Sequence, residues 1–181
     1  IEPNTMFAYR PPTLPDDDEL WDIFEQGHQL LIEAGYQQYE TSAYAKPGFQ
    51  CQHNLNYWRF GDYLAIGCGA HGKLTFPNGD ILRFSKTKHP KGYLRGEYLY
   101  EEKNVEKNDR AFEFFMNRFR LLEAVPKQEF EYYTGLSQSA VKNQIDLAIQ
   151  QNYIVETLDS WQITEHGKLF LNELLALFLD E

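Results

Sequence analysis

The sequence is poor in cysteine and has no long hydrophobic run. Its 181 residues include only two cysteines, Cys51 and Cys68, which are too few for a disulfide framework, so we expect reduced thiols. The longest uninterrupted apolar stretch covers residues 174–179, whereas a membrane-spanning helix needs roughly 20 such residues. The start of the chain does not resemble a signal peptide. These absences predict a cytoplasmic protein without a transmembrane segment.

Basic residues are also scarce. The chain has 17 Lys and Arg against 27 Asp and Glu, which gives a formal net charge of −10. This charge repels phosphate backbones, and no local group of Lys and Arg is dense enough to reverse the repulsion. We therefore expect no nucleic-acid partner.

A methionine is missing at the first position. Residues 1–5 have the character of a buried strand that enters a loop, because Pro3 cannot continue strand pairing. We therefore expect that the chain was cut from a longer one and that residues carrying its main chemistry lie upstream of residue 1. Strand edges exposed by such a cut would favour a homodimer.

What is present predicts a globular α+β fold, with 43% apolar and 15% aromatic residues. In a first domain, residues 1–103, the strongest signal is a helix over 17–34, with acids at its start, apolar residues at helical spacing and a glycine after its end. A strand at 36–41 directly follows, and this pair is typical of the second half of a βαβ repeat. The other predictions here are a long loop at 42–58, a buried strand at 63–67 and a hairpin in 74–83 around an Asn-Gly turn.

Residues 104–181 are predicted to form a second, mainly helical domain. Helices are expected at 109–123, from Pro126 to Gly135 and after Ser137, followed by a hairpin in 153–164 and a final helix at 167–179. Helix, turn, helix and hairpin is the order of a winged helix, which allows a DNA-binding module. From residue 107 onward, however, 7 Lys and Arg stand against 12 Asp and Glu, and this balance favours a structural or docking role.

Two histidines and two cysteines lie close together between residues 51 and 71. Cys51 with His53, and Cys68 with His71, are the ligand types of a tetrahedral zinc site. The one-residue gap in the first pair is unusual for a structural zinc site, and a cysteine after a predicted buried strand suits a small core residue. Zinc is therefore the weaker interpretation of this stretch.

A second interpretation of the same stretch centres on His53. Imidazole nitrogen is a common axial donor to haem iron, and the flat macrocycle needs aromatic walls such as Tyr57 and Trp58. Asn54 would orient the imidazole or meet a propionate, and His71 follows a predicted strand end, where α/β sheets bind ligands. The alternative is that His53 and Asn54 cap a loop while Tyr57 and Trp58 fill the core. The residues alone leave both open.

Several ordered motifs carry a family resemblance. They are Ile1-Glu2-Pro3-Asn4-Thr5, Pro11-Pro12-x-Leu14-Pro15, Tyr39-Glu40-Thr41-Ser42, Ala45-Lys46-Pro47-Gly48, His53-Asn54-x-x-Tyr57-Trp58 and Tyr63-Leu64-x-Ile66-Gly67-x-Gly69-Ala70-His71. Together they resemble the C-terminal half of the radical-SAM, oxygen-independent coproporphyrinogen III oxidase family. The His-Asn-x-x-Tyr-Trp run resembles the haem-chaperone branch of that family and is lacking in its oxidase branch.

The resemblance implies the last strands and helix of a partial (β/α)6 barrel, an elongated α/β segment and a winged-helix-like end. It implies that the protein binds haem through His53, Asn54, Tyr57 and Trp58, with His53 as the iron ligand, and delivers it to recipient haem proteins. A [4Fe-4S] cluster and S-adenosylmethionine would be bound mainly upstream of residue 1, because neither cysteine fits the family's Cys-x-x-x-Cys-x-x-Cys motif. The alternative activity is the oxidative decarboxylation of coproporphyrinogen III. Cys68 departs from the family pattern, as either a second haem ligand or a core thiol.

Overall fold

The computed structural model describes residues 1–179. Its first part contains the short helix α1 and the long helix α2, followed by a small hairpin, a second short helix and a three-stranded sheet. The elements are α1 Met6–Tyr9, α2 Asp17–Glu33, β1 Gln37–Glu40, β2 Ala43–Ala45, α3 Gln52–Trp58, β3 His71–Thr75, β4 Ile81–Lys86, α4 Pro90–Leu94 and β5 Leu99–Asn104.

The second part is mainly helical, with a small sheet. Its elements are α5 Arg110–Arg118, β6 Val125–Pro126, α6 Lys127–Thr134, a 3-10 helix Gln138–Val141, α7 Lys142–Gln150, β7 Ile154–Glu156, β8 Ser160–Ile163, α8 Glu165–Leu169 and α9 Leu171–Ala176. The α+β class is therefore confirmed. Among the described residues, no helix is long and apolar enough to cross a membrane.

The predicted long helix is confirmed as α2. Asp16 caps it by accepting a hydrogen bond from the Glu19 amide, and the Glu19 side chain accepts one from the Asp16 amide, which satisfies two donors that the helix itself leaves free. The chain leaves the helix through Gly35, whose φ of 81° is the left-handed conformation that glycine adopts most easily. None of the residues of α2 is buried.

Every strand pairing among the described residues is antiparallel. β1 pairs with β2, β4 lies between β3 and β5, and β8 lies between β6 and β7. The two predicted hairpins are confirmed as β3–β4 and β7–β8. The α6 helix ends at Gly135, as predicted, again with a left-handed backbone.

Four predictions of secondary structure are wrong. Residues 42–58 are not one long loop, because they contain β2 and α3. Residues 63–67 are not a buried strand, since only one of them makes a strand-like bridge, and Leu64 and Ile66 are exposed. Residues 1–5 are exposed turn and coil for the most part rather than a strand end. The final helix is interrupted at Phe170, whose φ of −111° and ψ of 39° are not helical.

The main core is aromatic and centres on α5. Phe114 and Phe115 are fully buried, and the ring of Phe115 lies 5.4 Å from that of Phe130 and 4.4 Å from that of Phe178. The cluster also contains Phe60, which follows α3, together with residues from β4, α7, β7, β8 and α9. One continuous core therefore joins the end of α3 to the helical part of the chain.

Phe60 occupies a backbone conformation that is uncommon for its residue type. Its φ is 63° and its side chain is fully buried. The left-handed turn lets the chain reverse directly after α3 and pass on to Asp62 and Tyr63. The side chain is held in place by an edge-to-face contact with Phe114 at 5.6 Å.

Candidate functional site

Helix α3 presents the predicted site residues within two turns. His53 and Tyr57 are four positions apart and therefore share one face of the helix, and their rings contact edge to face at 5.0 Å. The imidazole of His53 is exposed. The Tyr57 hydroxyl donates a 3.0 Å hydrogen bond to Oδ1 of Asn54, which leaves the amide N–H groups of Asn54 free for another acceptor. Partial burial raises the pKa of Tyr57, and the phenol stays a neutral donor.

Trp58 lies half buried at the end of this helix. Its ring meets Tyr57 edge to face at 5.0 Å, and the guanidinium of Arg120 lies 4.5 Å from its ring centroid. The indole Nε1 is buried and has no hydrogen-bond partner among the described residues. A buried donor without an acceptor is costly and calls for an explanation in terms of function or of a bound group.

The end of α3 is anchored to the connection between α5 and β6. Arg59 donates two hydrogen bonds to the carboxylate of Glu123, at 2.8 and 2.7 Å, and this fork geometry is the strongest arrangement for the two groups. Arg118, almost fully buried, donates a further bond to Glu123 at 2.9 Å. The hydrogen bonds from the two arginines outweigh burial and lower the pKa of Glu123, so the carboxylate stays charged.

A buried lysine supports the turn that follows α3. The ammonium of Lys73 donates to the Phe60 carbonyl at 2.9 Å, to Asp62 at 2.8 Å and to Thr75 at 3.0 Å. It also lies 4.3 Å from the centroid of the Phe60 ring. Burial lowers the pKa of Lys73, although Asp62 opposes this shift. All three donor positions of the ammonium are used inside the fold, so Lys73 acts as a structural residue.

His71 lies in a different place. It begins β3 and lines a cavity of about 400 Å³ on one face of the β3–β4–β5 sheet, together with Tyr63, Arg83, Ser85 and other polar residues. His53 is not part of that lining. The link between the two places is Tyr63, whose ring lies 5.4 Å from that of Tyr57. The structure therefore brings His53, Asn54, Tyr57 and Trp58 together and sets His71 apart from them.

The two cysteines do not assemble with the histidines. Both are exposed, with Cys51 directly before α3 and Cys68 in the turn before β3. Within residues 1–179, no three His, Cys, Asp or Glu side chains come close enough to hold a metal ion. The four-ligand zinc site is therefore wrong, and so is the interpretation of Cys68 as a buried core thiol.

Sequence reasoning missed the residues that hold α3 in place. Arg120 and Glu123 lie more than 60 positions from the helix they contact, so no local motif contains them. An Arg and a Glu in a short loop after a helix are ordinary in sequence, and only the tertiary contact distinguishes them. The Tyr63 contact with Tyr57 was missed because a strand was predicted there.

Comparison with known proteins gives consistent matches. Residues 105–170 match the HemN C-terminal domain family. The whole chain is 90% identical to Heme chaperone HemW of Haemophilus influenzae, of which it covers 47%, and 70% identical to Heme chaperone HemW of Escherichia coli, of which it covers 48%. The chain is therefore similar, over its whole length, to about half of the length of the proteins named Heme chaperone HemW.

A solved structure has a similar fold. The chain superposes on coproporphyrinogen III oxidase (HemN) from Escherichia coli, described as a radical SAM enzyme, with a TM-score of 0.65 over 91% of this chain and 42% of that one. The sequence identity is 14%, so this match bears on the fold alone. The chain spans about half the length of the curated relatives it matches.

Proposed function

We propose that the chain is the C-terminal, haem-binding part of a haem chaperone that delivers haem to recipient haem proteins. The observation that carries the proposal is the exposed imidazole of His53 on a short helix that also presents Asn54 and Tyr57. An exposed imidazole backed by aromatic rings suits a flat, apolar cargo with an iron at its centre. The near-identity to proteins named as haem chaperones supports the same cargo.

The donor set on α3 fits haem as cargo. His53 offers an imidazole nitrogen as a donor to the iron, and its ring is in edge contact with Tyr57. The free amide N–H groups of Asn54 suit a propionate carboxylate, because Oδ1 is already engaged by Tyr57. Trp58 adds an aromatic wall and a buried N–H for which none of the residues 1–179 is an acceptor. His71 stays a predicted contact, connected to this group through Tyr63.

We propose that the remaining cofactors belong to other parts of the whole protein. The radical-SAM relatives suggest a [4Fe-4S] cluster and S-adenosylmethionine there. Cys51 and Cys68 are 17 positions apart and cannot supply a motif of three closely spaced cysteines. The segment from α1 to β2 would then be the end of a partial (β/α)6 barrel, and α6 to β8 would be a winged-helix-like unit with a docking role. A cytoplasmic location and a homodimer remain predictions.

The test is a haemin titration of the whole protein, followed at the Soret band. His53→Ala is expected to weaken haemin binding by about tenfold or more, which corresponds to about 1.4 kcal/mol, and to shift the Soret band, because the iron loses its imidazole donor. His89→Ala is the matched control, since His89 is exposed and caps the separate helix α4. A Soret band and affinity unchanged by His53→Ala would contradict the ligand assignment.

The oxidase alternative is separated by a different measurement. The whole protein with a reconstituted cluster, supplied with S-adenosylmethionine and coproporphyrinogen III, is expected to yield no protoporphyrinogen IX. Accumulation of protoporphyrinogen IX would overturn the preference for a chaperone. This measurement therefore distinguishes a chaperone that carries a porphyrin from an enzyme that converts one.

A further inference from the structure

The connection between α5 and β6, residues 119–124, touches both α3 and the β1–β2 hairpin. Arg120 lies in its middle, and nothing in the motif on α3 points to it. We propose that Arg120 is a positioning residue for haem binding: it fixes Trp58, and with it helix α3, from another part of the fold. The role in haem binding rests on the proposed function, whereas the positioning of α3 can be measured without haem.

The backbone of this connection is fixed first. The Thr41 amide donates to the Arg120 carbonyl at 2.9 Å, and the Leu122 amide donates to the Tyr39 carbonyl at 3.2 Å. Glu40 and Leu121 form an antiparallel bridge between these two bonds. The connection therefore runs as a short third strand beside β1, and this pairing determines where the Arg120 side chain starts.

The side chain of Arg120 is held from two directions. One guanidinium nitrogen, Nη2, lies 3.4 Å from Oγ of Ser42 and 3.5 Å from a carboxylate oxygen of Glu40. Glu40 is only 3% exposed, and its second oxygen accepts a bond from the Ser42 hydroxyl at 3.1 Å. A buried carboxylate needs a cation nearby, so Glu40 and Arg120 constrain each other.

Trp58 covers the remaining side of the guanidinium. The guanidinium carbon lies 4.5 Å from the ring centroid of Trp58, and Arg120 is 30% exposed. Trp is the best aromatic ring for a cation–π contact, and Arg is its more frequent partner. Trp58 therefore contacts Tyr57 within the helix and Arg120 in the connection beside the β1–β2 hairpin.

This contact bears on the haem site because of its position. Trp58 directly follows Tyr57, and Tyr57 contacts both His53 and Asn54. A helix of only seven residues has little stability of its own. The orientation of its ligand face therefore depends on tertiary contacts, and two of them lie at its end, Trp58 with Arg120 and Arg59 with Glu123.

The test compares Arg120→Ala and Arg120→Lys in the whole protein. In the haem-free protein, Arg120→Ala is expected to speed amide hydrogen exchange in residues 52–59 by about 3- to 10-fold, the range of a cation–π contact. Haemin affinity should fall by a similar factor, with the Soret position of the His53-ligated complex retained. Arg120→Lys should recover part of both losses, because it keeps the positive charge but loses the planar guanidinium.

Two further variants make the outcome decisive. Arg95→Ala is the matched control, because Arg95 is an exposed arginine whose ion pair with Glu97 is also exposed. In a Trp58→Leu background, Arg120→Ala should add little to either effect, since the ring that the guanidinium contacts is already gone. If Trp58→Leu does not fold, the comparison of Arg120→Ala with Arg120→Lys still decides.

Several results would overturn the proposal. The first is amide exchange in residues 52–59 of Arg120→Ala that equals that of Arg95→Ala. The second is an undiminished effect of Arg120→Ala in the Trp58→Leu background. The third is faster exchange in Arg120→Ala with unchanged haemin affinity. If instead His53→Ala leaves haemin binding unchanged while Arg120→Ala speeds exchange, the ligand assignment fails and the structural contact stands.

Discussion

At the scale of single residues, the Lys73–Asp62 pair decides how the chain leaves α3. The Lys73 side chain is 1% exposed and the Asp62 side chain is 39% exposed. Partial burial opposes ionisation of Asp62, but the hydrogen bonds from Lys73 and Thr75 outweigh it and lower the pKa of Asp62. The carboxylate therefore compensates a buried cation that would otherwise be paired only with neutral groups.

Asp62→Asn is expected to lower the free energy of unfolding by about 2 kcal/mol at neutral pH, less than for a fully buried pair because Asp62 is partly exposed. Since the pKa of Asp62 is lower in the folded than in the unfolded chain, its stabilisation is present above the usual Asp pKa. It is lost as the pH falls through the lowered folded pKa.

The difference in the free energy of unfolding between the parent and Asp62→Asn should therefore shrink below about pH 4. Urea unfolding at several pH values measures this difference. Asp18→Asn, at an exposed position in α2, is the control. A difference that stays constant down to pH 2 would show that the ionised carboxylate is not the source.

At the scale of elements, two glycines in helices differ in the space that surrounds them. A Cβ at Gly167 in α8 would lie 2.0 Å from the Tyr153 carbonyl oxygen, whereas a Cβ at Gly27 in α2 would meet nothing within 4 Å. Gly167 thus lets α8 lie directly on the backbone that precedes β7. Gly27 has no such neighbour and only loosens its helix.

We expect Gly167→Ala to lower the free energy of unfolding by about 3 kcal/mol, because the backbone must move to relieve the clash. Gly27→Ala is the matched control and should raise it by about 0.5–1 kcal/mol. Chemical denaturation of both variants measures these changes. A Gly167→Ala variant as stable as the parent would mean that α8 can shift without cost.

The elements that sequence predicted best have strong local signals. Asp16, Glu19 and Gly35 mark both ends of α2, and the Asn78-Gly79 turn marks the β3–β4 hairpin. Helix α3 was missed because its polar residues give no clear apolar period, and its stability comes from tertiary contacts. Strand β5 was missed because it is exposed along its whole length and its residues 101–103 are charged.

The candidate site also contains residues that a local motif identifies and residues that only tertiary contacts identify. His53, Asn54, Tyr57 and Trp58 form one local motif, so sequence was sufficient to select them, and the structure brings them onto one short helix. Their supports, Arg120 and Glu123 among them, belong to another element and are defined only by folding. His71 was predicted as a site residue because it follows a predicted strand at 63–67. That strand does not form, and His71 lies at a separate cavity.

At the scale of the whole molecule, one core reaches across the predicted domain boundary at residue 103. It includes Phe60 and Ile81 on one side and Phe114 and Phe130 on the other. The boundary itself stays a prediction. A shared core of this kind favours one cooperative unfolding transition for the part of the chain that it includes.

Phe114→Ala is expected to lower the free energy of unfolding by about 3–5 kcal/mol, since it empties a fully buried aromatic position. Transitions followed by far-ultraviolet and near-ultraviolet circular dichroism should shift together. Phe49→Ala, at a residue that is 82% exposed, should change stability by less than about 0.5 kcal/mol. Separate transitions in the variant would indicate two independently folding units.

The left-handed conformation of Phe60 has an evolutionary consequence. The backbone there would favour glycine, but glycine would leave a void beside Phe114 and Lys73. A β-branched side chain would partly fill that void, but the positive φ of 63° excludes it on steric grounds. Position 60 is therefore expected to accept only large unbranched side chains during sequence change.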